Sequence, residues 1–92
     1  MADTKILAIA GGFYFFGTLV QAPEGYVALE NYAMFGGFSG GKGLPGVARG
    51  DSAAKVILDC FEKGTIGHFP LTAVYAVFDS IDLYTSKGTT IR

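Results

Sequence analysis

The chain has 92 residues, 7 of them basic and 8 acidic, for a net charge of −1, and half are hydrophobic. That length holds one domain with one core, and the charge balance excludes a nucleic-acid binder that works by neutralising many phosphates at once. Cys60 is the sole cysteine, which excludes an internal disulfide and a cysteine-based zinc site and is compatible with a reducing compartment.

Only 16% of residues are charged, below the usual quarter. A monomer this small hides that much apolar surface poorly, so a homo-oligomer is expected. The run from Ile6 to Pro23 carries no charge. It falls just short of a membrane helix and is interrupted by Gly11, Gly12 and Gly17, so a pair of buried strands accounts for it better than a signal-peptide core or a membrane span.

In chain order the pattern is almost entirely β. Lys5–Ala10 is apolar and ends at Gly11-Gly12. Phe13–Ala22 is aromatic and β-branched, as strands prefer. Pro23-Glu24-Gly25 is a turn, and Tyr26–Phe35 is the next strand. These two segments form the clearest hairpin, and alternation makes both of its faces apolar: Phe13, Phe15 and Leu19 against Tyr14, Phe16 and Val20 in the first strand. A half-solvated sheet would keep one polar face. Two apolar faces predict a closed small barrel whose outside packs against a helix, another subunit or a ligand.

Seven of the sixteen residues from Gly36 to Asp51 are glycine. That composition predicts no regular strand but leaves room for a short helical turn over Leu44–Arg49. Residues 36–54 therefore read as one long Gly-rich loop, of the kind that is functional or disordered in compact domains. Lys55–Phe61 resumes as a strand, Glu62-Lys63-Gly64 turns, Thr65–Phe69 is a short strand ended by Pro70, and Ala73–Phe78 is another. Ile81–Tyr84 adds an edge strand at most, and the tail frays.

Two segments resemble the Sm-like family, which includes the Lsm and Hfq proteins. Phe15-Phe16-Gly17-Thr18-Leu19, a turn, and Tyr26-Val27-Ala28-Leu29-Glu30-Asn31 are similar to its first motif. Gly67-His68-Phe69-Pro70-Leu71-Thr72-Ala73-Val74 is similar to its second. The resemblance covers about half the chain. The acidic position of the first turn is shifted to Glu24, and Gly67 stands where a basic residue usually precedes His68. The resemblance implies an all-β fold, a small SH3- or Sm-like bent-sheet barrel, with Gly17 permitting a sharp bend, and a ring-like oligomer. RNA binding carries over weakly because its basic residues are missing. A second stretch, Lys42-Gly43-Leu44 through Ala48, Gly50 and Ser52 to Val56-Ile57-Leu58-Asp59, resembles small bacteriophage and prophage proteins. It implies a phage setting in the cytoplasm of a host bacterium.

Candidate site residues concentrate in the Gly-rich loop. Gly40, Gly41, Gly43 and Gly46 offer backbone N–H groups to an anion, with Lys42, Arg49 and Lys55 adding charge. The spacing matches neither a P-loop nor a dinucleotide fingerprint, and the competing reading is a surface loop or an arm that orders on a neighbour. Phe35 and Phe38 flank the glycines and are placed to cover a planar ligand. His68, the sole histidine, falls in the Sm-like comparison near a ring-lining position. Asp59, Asp79 and Asp82 read as turn residues. No nucleophile–base pair and no metal set is visible, so no enzymatic activity and no cofactor are expected. The expected function is a phage-type oligomeric binding protein that sequesters a small phosphate-bearing, nucleotide-like ligand, as an anti-defence sponge would. The alternative is a structural or inhibitory interaction protein, and an Sm-like RNA binder ranks third.

Overall fold

A computed structural model describes residues 3–40 and 42–92, with Cys60 and Phe61 described by their backbone alone. The expectations that Cys60 is a buried hydrophobe and that Gly41 donates to an anion lie outside the described residues. The fold is small and all-β. Six strands, β1 (Thr4–Ile9), β2 (Phe13–Val20), β3 (Tyr26–Ser39), β4 (Lys55–Pro70), β5 (Val74–Asp79) and β6 (Thr89–Ile91), form one sheet in the order β5-β1-β2-β3-β4-β6. All neighbours are antiparallel except β4 and β6, which run parallel. The β2–β3 hairpin forms as read from the sequence, with Leu19 opposite Leu29 and Phe15 opposite Met34.

The sheet is sharply bent. Register slips at Gly17 in β2 and around Asn31 in β3, and three residues of β4 bulge around Gly64. A Cβ on Gly17 would lie 2.9 Å from Leu29 Cβ and 3.1 Å from the Glu30 carbonyl oxygen, so only glycine lets β3 approach there. Asn31 is the one described non-glycine residue with positive φ, at 53°, and Gly64 has φ 78°. The result is visible in the rings. The register partners of Phe15 and Phe69 on β3 are Met34 and Val27. Those positions stand about 23 Å apart on a straight strand, yet the two rings are 4.9 Å apart, with Tyr32 against both. Folding the sheet along the line from Gly17 through Asn31 to Gly64 brings them together.

The other side of the sheet holds the main core. Ile6, Phe16, Ala33, Val56 and Leu58 from the strands pack with Leu44, Val47 and Ala48 of helix α1 (Leu44–Arg49) and with Leu83. Both apolar faces of the hairpin are therefore covered within the chain over much of their area, one by α1 and Leu83, the other by the fold of the sheet on itself. Along β3, Ala33 and Phe35 pack in or against the main core cluster, while the fully buried Ala28 and Leu29 lie outside it.

Five expectations need correction. The barrel does not close, because the sheet ends at β5 and β6 and no ladder joins these edges among the described residues. The two strands expected over Lys55–Phe61 and Thr65–Phe69 are one 16-residue strand, because Gly64 forms a bulge instead of a reversing turn. β3 continues through Gly36-Gly37 to Ser39, since β4 supplies a full partner ladder that offsets the weak strand preference of glycine. The helix sits where the sequence left room for one, but it is a core element and not part of an exposed loop: Leu44, Gly46, Val47 and Ala48 are buried. The tail pairs as β6 instead of fraying, and Ile81–Tyr84 is irregular, with Leu83 its one buried residue.

Candidate functional site

Where β3 ends and β4 begins, Ser39 pairs with Lys55 and Gly37 with Ile57. β6 runs alongside, with Thr89 opposite Val56 and Thr90 opposite Ile57. Between these three strands lies a cleft of about 320 Å³. Gly37 forms its floor on β3, where an added Cβ would meet nothing. Ile57, Ser39, Lys55 and Thr90 share the Gly37 face of the strands and give it one apolar and three polar side chains, while Phe38 and Val56 border it from positions that alternate toward the core. The missing side chain at Gly37 leaves the trough, which is the structural use of a glycine inside a strand.

Lys55 is exposed, and no ion pair or side-chain hydrogen bond engages it among the described residues. The Phe38 ring is held rigidly. It stacks edge-on against Tyr14 at 5.6 Å and against Phe35 at 5.9 Å, and all three lean on the core. Of the residues singled out from the sequence, Lys55 and Phe38 both border the cleft, but Phe38, like Phe35, packs its ring against the core.

The rest do not converge. Lys42 and Gly43 precede α1, Arg49 ends it, and none of the three lines the cleft. Arg49 is engaged by Asp51, with Nη2 donating to Oδ2 at 3.0 Å. Gly46 faces the core, which removes it from a solvent-facing anion cradle. The physical reason is that Leu44, Val47 and Ala48 drive this stretch inward as a helix, and the glycines serve its entry and exit. Gly50, at φ 79°, caps the helix and donates its N–H to the Val47 carbonyl. His68 stands opposite Ala28, eleven residues along β3 from the Ser39–Lys55 pair. It lines a separate shallow apolar depression with Pro23 and Tyr26, its ring 6.4 Å from that of Tyr26.

The acidic residues are used structurally. Asp79 pairs with Lys5, and this contact, with Asp3 adding to it, raises the Lys5 ammonium above its ordinary pKa. Asp82 accepts the Tyr84 N–H at 3.0 Å. Asp59 lies over Gly36, where an added Cβ would come within 2.2 Å of its carboxylate, and faces the Arg92 guanidinium at 3.7 Å.

Ser39, Thr90 and the Gly37 floor were not singled out from the sequence. The doubled glycine at 36–37 was a usable signal for a trough. Thr90 carried none, since only the parallel pairing of the tail with β4 brings it to the site. Among the described residues no helix is long and apolar enough to cross a membrane. No protein-family model, no curated protein and no solved structure matches this chain.

Proposed function

We propose that this chain is a non-enzymatic binding protein that assembles as a homo-oligomer and sequesters a small phosphate-bearing ligand in the cleft between β3, β4 and β6. The observation that carries the reading is the environment of Lys55: an uncommitted cation beside two hydroxyl groups and the apolar side chain of Ile57. A cation with hydroxyl donors suits a phosphate, and an apolar wall suits the body of the molecule that bears it. Sequestration requires affinity and no chemistry, which fits these side chains. The resemblance noted in the sequence sets this activity in a phage context, in the cytoplasm of a host bacterium.

Assembly is supported by the two open edges of the sheet. β5 exposes Tyr75 at 76% and Val77 at 48%, and on β4 Ile66 is exposed beyond the reach of β6. Two different free edges on one sheet suit head-to-tail pairing, which closes into a ring when the rotation allows. The same exposed β5 face favours the second reading, an interaction protein that docks on a host or virion protein.

Thermal unfolding in the presence of inorganic phosphate, adenosine monophosphate or adenosine triphosphate tests the binding reading. At a hundredfold excess over Kd, a ligand of the native state adds about 2.7 kcal/mol of stability. The expected outcome is a raised Tm in the native chain and none in Lys55→Ala. Stabilisation that survives in Lys55→Ala places the ligand elsewhere. Native mass spectrometry reports the subunit count alongside, and a monomer retaining no small molecule favours the interaction protein.

A further inference from the structure

We infer that the Lys55 cleft takes a phosphate monoester, a ligand with one terminal phosphate on a compact apolar or planar body, and not a polyphosphate. The inference rests on reading the cleft as a phosphate site and narrows the ligand class. Lys55 is the single cation among the residues that line it. The neighbouring cations are committed or face elsewhere. Arg49 is held by Asp51, and Arg92 lies 3.7 Å from Asp59. Lys87 does not line the cleft but a separate small notch, with Asp51 among the lining residues there.

One ammonium and the hydroxyls of Ser39 and Thr90 match the donor needs of one phosphate group. A second or third phosphate would meet only Gly37 and Ile57, with no donor side chain to replace its water. Size agrees. A volume of about 320 Å³ is at the small end for ligand pockets. The Gly37 floor beside Ile57 leaves a flat trough for the body of the ligand.

The third wall adds a consequence. β6 has three residues, and it is held to β4 by the Arg92 N–H to the Leu58 carbonyl, the Val56 N–H to the Gly88 carbonyl, and the ladder between them. A ligand that bridges Lys55 on β4 and Thr90 on β6 therefore ties the C-terminal strand down, and its amides become slower to exchange.

Isothermal titration calorimetry with adenosine, adenosine monophosphate and adenosine triphosphate tests this on the full chain and on Lys55→Ala and Thr90→Val. Both substitutions fall on exposed positions, so the fold is retained. The monophosphate is expected to bind, adenosine to bind at least about tenfold more weakly, and the triphosphate to gain nothing over the monophosphate. Lys55→Ala is expected to lose about tenfold or more, and Thr90→Val a smaller factor. Hydrogen exchange of residues 89–91 slows on addition of the monophosphate. A triphosphate that binds about tenfold tighter, still through Lys55, overturns the monoester assignment and leaves the phosphate site standing. Adenosine binding as well as its monophosphate, binding indifferent to Lys55→Ala, or no binding by any of the three overturns both.

Discussion

The side-chain oxygen of Asn31 accepts the backbone N–H of Gly64 at 2.7 Å, joining the two strands at the point where both leave regular geometry. The Asn31 carbonyl in turn accepts the hydroxyl of Tyr84 from the segment before β6. Asparagine suits this position because its short amide tolerates positive φ and bonds locally. Asn31→Ala should lose about 2 kcal/mol, from left-handed strain plus a missing hydrogen bond. Asn31→Gly, which keeps the backbone conformation, should lose about half as much. Urea unfolding measures both, and equal losses would refute this division.

β3 approaches β2 closely at Gly17. A methyl group there meets Leu29 Cβ and backbone atoms of Glu30 and Tyr32 at 2.9–3.2 Å, and backbone cannot swing aside. Gly17→Ala should destabilise by about 1–3 kcal/mol. It should also weaken the near-ultraviolet circular dichroism of the Phe15, Tyr32 and Phe69 group, which depends on the bend. A variant of native stability and spectrum would show that the sheet bends without this glycine.

Leu83 is 1% exposed and packs with α1 and the strands, whereas Ile91 on the edge strand is 41% exposed. Leu83→Ala should cost about 2–5 kcal/mol and Ile91→Ala less than about 0.5, as read from denaturation midpoints. A small effect at Leu83 would mean that this segment is not part of the core.

Tyr84 packs on Phe16 at 5.0 Å, and burial, with Asp82 nearby, raises its phenol above the ordinary value of 10.0. The sign follows from linkage. Above about pH 10 an unfolded chain ionises this tyrosine while the folded chain keeps it protonated, so folding loses stability as pH rises. Below that range the hydroxyl stabilises through its bond to Asn31. Tyr84→Phe should therefore be the less stable protein at pH 8 and should lose less stability between about pH 9 and pH 11. Parallel losses in the two proteins would contradict the raised phenol.

Arg49→Ala should change stability by less than about 0.5 kcal/mol, because its partner Asp51 is two residues away and the pair is solvent-exposed. It should leave ligand-induced stabilisation intact, in contrast with Lys55→Ala. A loss of binding in Arg49→Ala would return the ligand to the loop where the sequence placed it.

Local chemistry alone settled a good deal of this protein. Strand preference and alternation marked β1, the β2–β3 hairpin and β5, and the absence of charge from Ile6 to Pro23 marked strands covered on both sides. The glycine at position 17 marked a bend, and Leu44–Arg49 was legible as a helical turn. These features depend on residues within a few positions of one another. Register across distant strands, by contrast, was decided by packing. Whether Gly64 reverses the chain or bulges depends on what lies opposite it, and Asn31 is 33 residues earlier. Whether the glycine-rich segment is a loop or a core helix depends on a hollow built by β1, β2, β4 and Leu83. Lys55 and Thr90 form one site only because the tail lies parallel to β4, and no short-range pattern encodes a parallel pairing between segments joined by some thirty residues of other structure.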